Sequence, residues 1–218
     1  MSKIHVYFMP GMAASSLIFE RIKLPEDQFE VHLLEWFLPE PKETLENYAK
    51  RMVAEVKEDN AVLIGVSFGG ILVQEMAKIK PVRKVIIISS VKSNTEFPLR
   101  MKLAKNTKAY KLIPTSLISQ VEFLMKYGQI EAVKKRMELY KTYLSVNDKK
   151  YLDWAIENVL NWSRKEIDEK VIHIHGDADE VFPIKNIKTC IEINGGTHIM
   201  ILNRFRWFNS NLAEIILK

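Results

Sequence analysis

Cysteine is nearly absent from the 218 residues, with Cys190 standing alone, so no disulfide scaffold staples this chain. Long hydrophobic runs are missing too. The longest, such as 85–90, fall far short of the roughly 20 residues that a membrane-crossing helix needs. A strand pattern begins directly after Met1-Ser2-Lys3, and from these features we expect a cytoplasmic protein with no membrane span. Internal repeats and low-complexity tracts are also lacking, which excludes solenoids and disordered tails.

What is present is the balance of a globular domain, with 47% hydrophobic and 27% charged residues. At this length a single core closes without staples. The formal charge of +5 arises from 32 basic and 27 acidic residues, and its excess falls largely within residues 100–150. Those lysines carry no aromatic ladder and no known nucleic-acid motif, so they read as solvated helix faces and no nucleic-acid partner is expected.

Residues 3–8, 29–34, 61–65, 84–89, 170–175 and 189–193 read as strands, short, rich in Val and Ile, and bounded by Gly, Pro, Asp or Asn. Most are apolar on both faces, which suits a parallel sheet covered on both sides. Thr44 begins a helix whose Leu45, Tyr48, Met52 and Val56 form one stripe. A second helix over residues 70–80, with Ile71, Met76 and Ala77 on its packing face, is stopped by Pro81. Between the fourth and fifth strands the alternation breaks, and residues 91–165 show only helical periodicity. Within this insertion Ser116 is expected to cap a helix bearing Val121, Leu124 and Met125, and Asn147 or Asp148 to cap one bearing Leu152, Ala155, Ile156, Val159 and Trp162.

Gly65-Val66-Ser67-Phe68-Gly69-Gly70 follows a strand and opens a helix, the context that a G-x-S-x-G nucleophile elbow requires. The serine of such an elbow sits at positive φ, where only hydrogens fit between the crowded strand and helix on either side. A serine hydroxyl is a poor nucleophile until a neutral imidazole takes its proton, and the imidazole needs a carboxylate to fix its tautomer. Late in the chain, His173-Ile174-His175 runs into Gly176-Asp177-Ala178-Asp179, and Gly195-Gly196-Thr197-His198 follows the last strand. Ser67, an acid at 177 or 179, and His198 thus stand in the chain order of such a set, each at the carboxyl end of a strand.

On these motifs the chain resembles the α/β-hydrolase fold serine hydrolases, of the small esterase, lipase and thioesterase type. The resemblance implies an α/β fold over residues 1–218, a parallel six-stranded sheet with helices on both faces and a helical cap over 91–165. It implies Ser67 as nucleophile, His198 as base and Asp179 as acid, since Gly176, Asp179 and Pro183 match the family's spacing; Asp177 is the alternative. Backbone N–H groups of Phe68 and Met12 are the implied oxyanion donors, with Pro10 in place of the usual His of the Met9-Pro10-Gly11-Met12 loop. The expected activity is hydrolysis of a carboxylic ester of a small or medium apolar acid, with no cofactor or metal. A thioesterase or acyltransferase, or a relative that binds without turnover, remains open.

Other polar residues carry plainer readings. Ser15 or Ser16 is expected to cap a helix. His5 and His32, within the first two strands, and His173 and His175, two apart on the fifth, are expected to be structural. Phe123, Met125, Trp154 and Trp162 either line an acyl pocket or form the interior of the insertion.

Overall fold

The six apolar runs pair into one sheet of order β2-β1-β3-β4-β5-β6 with every pairing parallel. The computed structural model describes residues 2–108 and 143–218. The strands are β1 (Ile4–Met9), β2 (Phe29–Leu33), β3 (Val62–Val66), β4 (Lys84–Ile88), β5 (Ile172–Gly176) and β6 (Ile191–Ile193). Each lies within one or two residues of its expected place. β5 starts late because Val171 N–H is drawn into a turn by the Asp168 carbonyl, which keeps residues 170–171 out of the ladder.

Helices α1 (Leu45–Val53) and α2 (Phe68–Ile79) cover one face. Thr44 Oγ1 accepts from Asn47 N–H at the start of α1, as its position predicts. The expected stripe is buried as Leu45, Tyr48 and Met52, while Val56 is buried beyond the end of the helix. On α2 the expected packing face proves too narrow. Every residue from Phe68 to Met76 is buried, because α2 lies between the sheet and the insertion and has almost no solvent face. The short α5 (Met200–Asn203) and the terminal α6 (Phe205–Leu217) cover the other face, where Met200, Ile201, Phe208, Leu212 and Ile216 pack with Val6, Phe8, Ile64, Ile88 and Ile174. Helices thus sandwich the sheet in three layers.

Between β4 and β5 the described residues form α3 (Leu99–Thr107) and α4 (Lys149–Asn161). Asp148 is the cap of α4, its carboxylate accepting from Lys150 and Tyr151 N–H. Ser116, Val121, Phe123, Leu124 and Met125 lie outside the described residues. The buried face of α4 joins the α1–α2 core through Tyr151, Leu152, Trp154, Ala155 and Val159. Among the described residues no helix is long and apolar enough to cross a membrane.

From β1 the chain moves outward to β2 and then returns across β1 to β3. Loops leaving β1 and β3 therefore diverge at their carboxyl ends, which opens a crevice at this switch in strand order.

Candidate active site

Ser67 lies in that crevice, between the end of β3 and the first turn of α2. Its φ of 51° and ψ of −118° are a strained conformation for a side-chain-bearing residue, and the surrounding bonds hold it there. Ser67 N–H donates to the Ile88 carbonyl at 2.9 Å, and its own carbonyl accepts from Ser90 Oγ at 2.7 Å and from Gly70 N–H at 2.9 Å. The flanking glycines are required by close approach. A Cβ on Gly65 would stand 2.3 Å from the Gly69 carbonyl oxygen, and one on Gly69 would stand 2.3 Å from the Pro10 oxygen. Strand, helix and β1 loop all converge on this turn.

The structure brings together the three side chains singled out from the sequence. His198 Nε2 is 2.9 Å from Ser67 Oγ, and His198 Nδ1 is 2.9 Å from Asp179 Oδ2. An ionised carboxylate only accepts, so Nδ1 carries the proton, leaving Nε2 as acceptor for the serine hydroxyl. Asp179 is fully buried at its side chain, whereas His198 is about a quarter exposed (23%). The second Asp179 oxygen accepts from Val181 N–H at 2.8 Å and Phe182 N–H at 2.9 Å. Burial pushes the Asp179 carboxyl upward, but the His198 hydrogen bond and charge, the Phe182 N–H and His175 outweigh it, and the group is held below its usual range. Asp177 turns elsewhere, accepting Gly195 N–H at 2.7 Å and bracing the turn after β6.

His173 and His175, read as structural from the sequence, lie directly behind the acid. His175 Nε2 donates to the Phe182 carbonyl at 2.7 Å and stands 3.7 Å from Asp179 Oδ2. That bond fixes its tautomer, so its Nδ1 accepts from His173 Nε2 at 3.0 Å. Burial lowers the pKa of both imidazoles, that of His173 most strongly. The Phe182 ring meets His198 edge-on, with centroids 5.6 Å apart. These rings pack behind the Asp179 turn.

The β1 loop passes alongside Ser67, and a Cβ on Gly11 would lie 3.4 Å from the Ser67 Cβ. Pro10 stands where the sequence resemblance leads one to expect a histidine, and other residues hold the loop. Trp36 Nε1 donates to the Gly11 carbonyl at 2.9 Å, Ala14 N–H donates to the same oxygen at 3.1 Å, and Ala13 N–H reaches Tyr151 Oη at 3.4 Å. Trp36 also stacks on Phe68, with centroids 5.0 Å apart and planes 9° from parallel. One indole thus braces both segments from which oxyanion donors were expected, Met12 and Phe68. Sequence reasoning missed Trp36 and Tyr151, because neither lies in a motif and both reach the loop only through the tertiary fold.

Trp154 and Trp162 are both buried. Trp154 Nε1 donates to the Glu43 carbonyl and Trp162 Nε1 to Glu75 Oε1, and Trp154 packs on Phe68 with centroids 5.7 Å apart. Ser15 stands at the start of a single 3₁₀ turn (Ser16–Phe19), but its side chain makes no cap bond. The Glu35 carboxylate takes the Ser16 N–H instead, so the expected serine cap is replaced by a carboxylate from beyond β2.

No protein-family model and no curated protein matches the sequence. Solved structures do match along nearly its whole length. A thermophilic esterase from Thermogutta terrifontis aligns at TM-score 0.72 and 12% identity, covering 99% of this chain and 90% of its own. A bromoperoxidase from Bacillus anthracis aligns at 0.69 and 17%, covering 99% and 92%. Est816, an N-acyl homoserine lactone degrading enzyme, aligns at 0.69 and 18%, covering 98% and 93%. With its six parallel strands, its helices on both faces and these neighbours, the chain has the α/β-hydrolase fold.

Proposed function

We propose that this protein is a serine hydrolase that cleaves a carboxylic ester of a small or medium apolar acid through an acyl-enzyme. The reading rests on one observation, the continuous line from Asp179 through His198 to Ser67 with both hydrogen bonds at 2.9 Å. Ser67 Oγ attacks the ester carbonyl as His198 Nε2 takes its proton, and Asp179 stabilises the imidazolium formed. N–H groups of Phe68, at the first turn of α2, and of Met12 hold the oxyanion. His198 then gives its proton to the leaving alkoxide, and the alcohol departs. In the second half, His198 takes a proton from water, the hydroxide attacks the acyl carbon, and the proton returns to Ser67 as the acid leaves.

Residues 91–165 are proposed to form a helical cap over this site, with α4 as its inner wall. Trp36 and Tyr151, which hold the β1 loop, also line an open cavity of about 300 Å³ with Phe37, Leu38 and Val146 and the polar Ser145, Asn147 and Asp148. The partner is a small-molecule ester and the compartment the cytoplasm. Esterase and lactone-degrading neighbours support ester chemistry in general. The test is a panel of p-nitrophenyl esters of increasing acyl length, run beside acyl-CoA thioesters with wild type and His198→Ala. Ester turnover that falls by at least about 10³ in the variant is expected. Higher kcat/KM on thioesters would move the assignment to a thioesterase, and no turnover of any substrate would favour a binding protein.

A further inference from the structure

At the opposite end of the sheet from Ser67, two histidines and a glutamate converge where the strand register brings them into line. His5 is paired with Glu30 across the β1–β2 ladder, and Tyr7 with His32. In parallel strands, paired residues share a face and alternate residues return to it, so all four side chains lie on one side of the sheet. His5 Nδ1 is 2.9 Å from His32 Nε2. The Glu30 carboxylate oxygens stand 4.0 Å from His5 Nδ1 and 3.9 Å from His32 Nε2. Among the described residues, this is the one group of three metal-ligating side chains whose donor atoms all lie within 4.8 Å of one another.

From this convergence we propose a binding site for a borderline divalent transition-metal ion such as Zn²⁺, held by His5 Nδ1, His32 Nε2 and the Glu30 carboxylate. Two imidazoles and one carboxylate are the donor set such ions favour, with a fourth position left for water. Metal–nitrogen bonds of about 2.0–2.1 Å put tetrahedral donors roughly 3.3 Å apart. The imidazole nitrogens therefore open by a few tenths of an ångström, and the exposed Glu30 side chain closes by about half an ångström. Proton balance is simple. The proton now shared between the two rings moves to the far nitrogen of its own ring, so both lone pairs face the ion and none is released. Glu30 cancels one unit of the ion's charge. Glu58, 4.0 Å from His5 Nδ1, supplies a second negative charge.

The rings are already oriented for the task. Tyr7, buried in the core, stacks on His32 with centroids 4.4 Å apart and planes 13° from parallel. Its hydroxyl donates to Glu58 and accepts Lys57 N–H, so the loop after α1 is tied to the same cluster. Stacking of this kind restricts how the His32 ring can turn. Among the described residues β2 is an edge strand paired with β1 alone, and a bound ion would clamp it there. His5 lies roughly 15–20 Å along β1 from the Gly11 loop, so occupancy is independent of the hydrolytic chemistry.

The test is calorimetric titration of Zn²⁺ into the untagged, EDTA-treated full chain, with thermal melting in parallel. One ion per chain is expected, with a Tm rise of about 5–10 °C at a hundredfold excess over Kd. Both should be lost in His5→Gln/His32→Gln, and affinity should fall at least about tenfold in Glu30→Gln, whose exposed side chain makes it safe for folding. Ester turnover should not change on titration. Absence of saturable binding in the wild type, or an affinity loss below about tenfold in the double variant, would overturn the site. Retained binding accompanied by loss of ester turnover would place the ion at His198 and overturn it equally.

Discussion

Trp36→Phe separates the brace on the β1 loop from the packing around it. Phenylalanine keeps an aromatic ring against Phe68, which Trp36 now meets at 5.0 Å, but removes the Nε1 donor to the Gly11 carbonyl. That oxygen keeps its bond from Ala14 N–H, so it is not orphaned and the loss is a net hydrogen bond of about 1 kcal/mol. The smaller ring adds up to roughly 1 kcal/mol of lost packing. At about 2–4 °C per kcal/mol for a chain of this length, Tm should drop by about 2–8 °C. Catalysis should suffer more. Complete removal of one oxyanion donor costs about 10² to 10³ in turnover, and a loop that is loosened but not lost should cost about tenfold. The loss should fall on kcat with KM little changed, because the oxyanion bond is made in the transition state. Thermal melts and Michaelis parameters on one p-nitrophenyl ester measure both. A kcat within about twofold of wild type, alongside the expected drop in Tm, would show that Trp36 supports the fold without setting the oxyanion loop.

Three further outcomes follow from the same geometry. Gly65→Ala puts a Cβ 2.3 Å from the Gly69 carbonyl oxygen, and since backbone must shift it should cost at least about 3 kcal/mol in urea denaturation; a loss under about 1 kcal/mol would mean the elbow yields easily. Asp179→Asn should reduce turnover by about 10⁴ through the wrong His198 tautomer, whereas Asp177→Asn, at a side chain that accepts from Gly195 N–H, should stay near wild type; equal losses would contradict the choice of acid. Burial lowers the pKa of His173 and His175, so the unfolded chain binds protons that the folded chain refuses. Their contribution to stability is complete above about pH 6.5 and is lost as pH falls below it. Denaturation midpoints should therefore drop from pH 7.5 to 5.5, and His173→Asn should flatten that slope; an unchanged slope would remove His173 as its source.

Much of this was legible in the chain because the fold repeats simple signals. Strand-length apolar runs, the Thr44 and Asp148 caps and the G-x-S-x-G turn are local, and each forms where neighbours in sequence place it. The proximity of Ser67, Asp179 and His198 could be expected from motif order, since all three follow strands that end on one edge of a parallel sheet. What escaped is tertiary. The Trp36 indole reaches Gly11 across 25 positions, and Tyr151 reaches Ala13 across 138; no spacing rule joins them. His5 and Glu30 meet only through the β1–β2 register, which the hydrophobic pattern does not specify at a half-exposed strand end. α2 looked one-faced because its outer cover, α4, is distant in sequence.

The proposed mechanism requires Ser67 Oγ to be a nucleophile activated by His198. Labelling with a fluorophosphonate probe, followed by peptide mapping, tests this without knowledge of the natural substrate. A single adduct on the peptide carrying Ser67, absent in Ser67→Ala and strongly slowed in His198→Ala, is the predicted result; labelling that is equal in wild type and Ser67→Ala, or that maps to another residue, would contradict it.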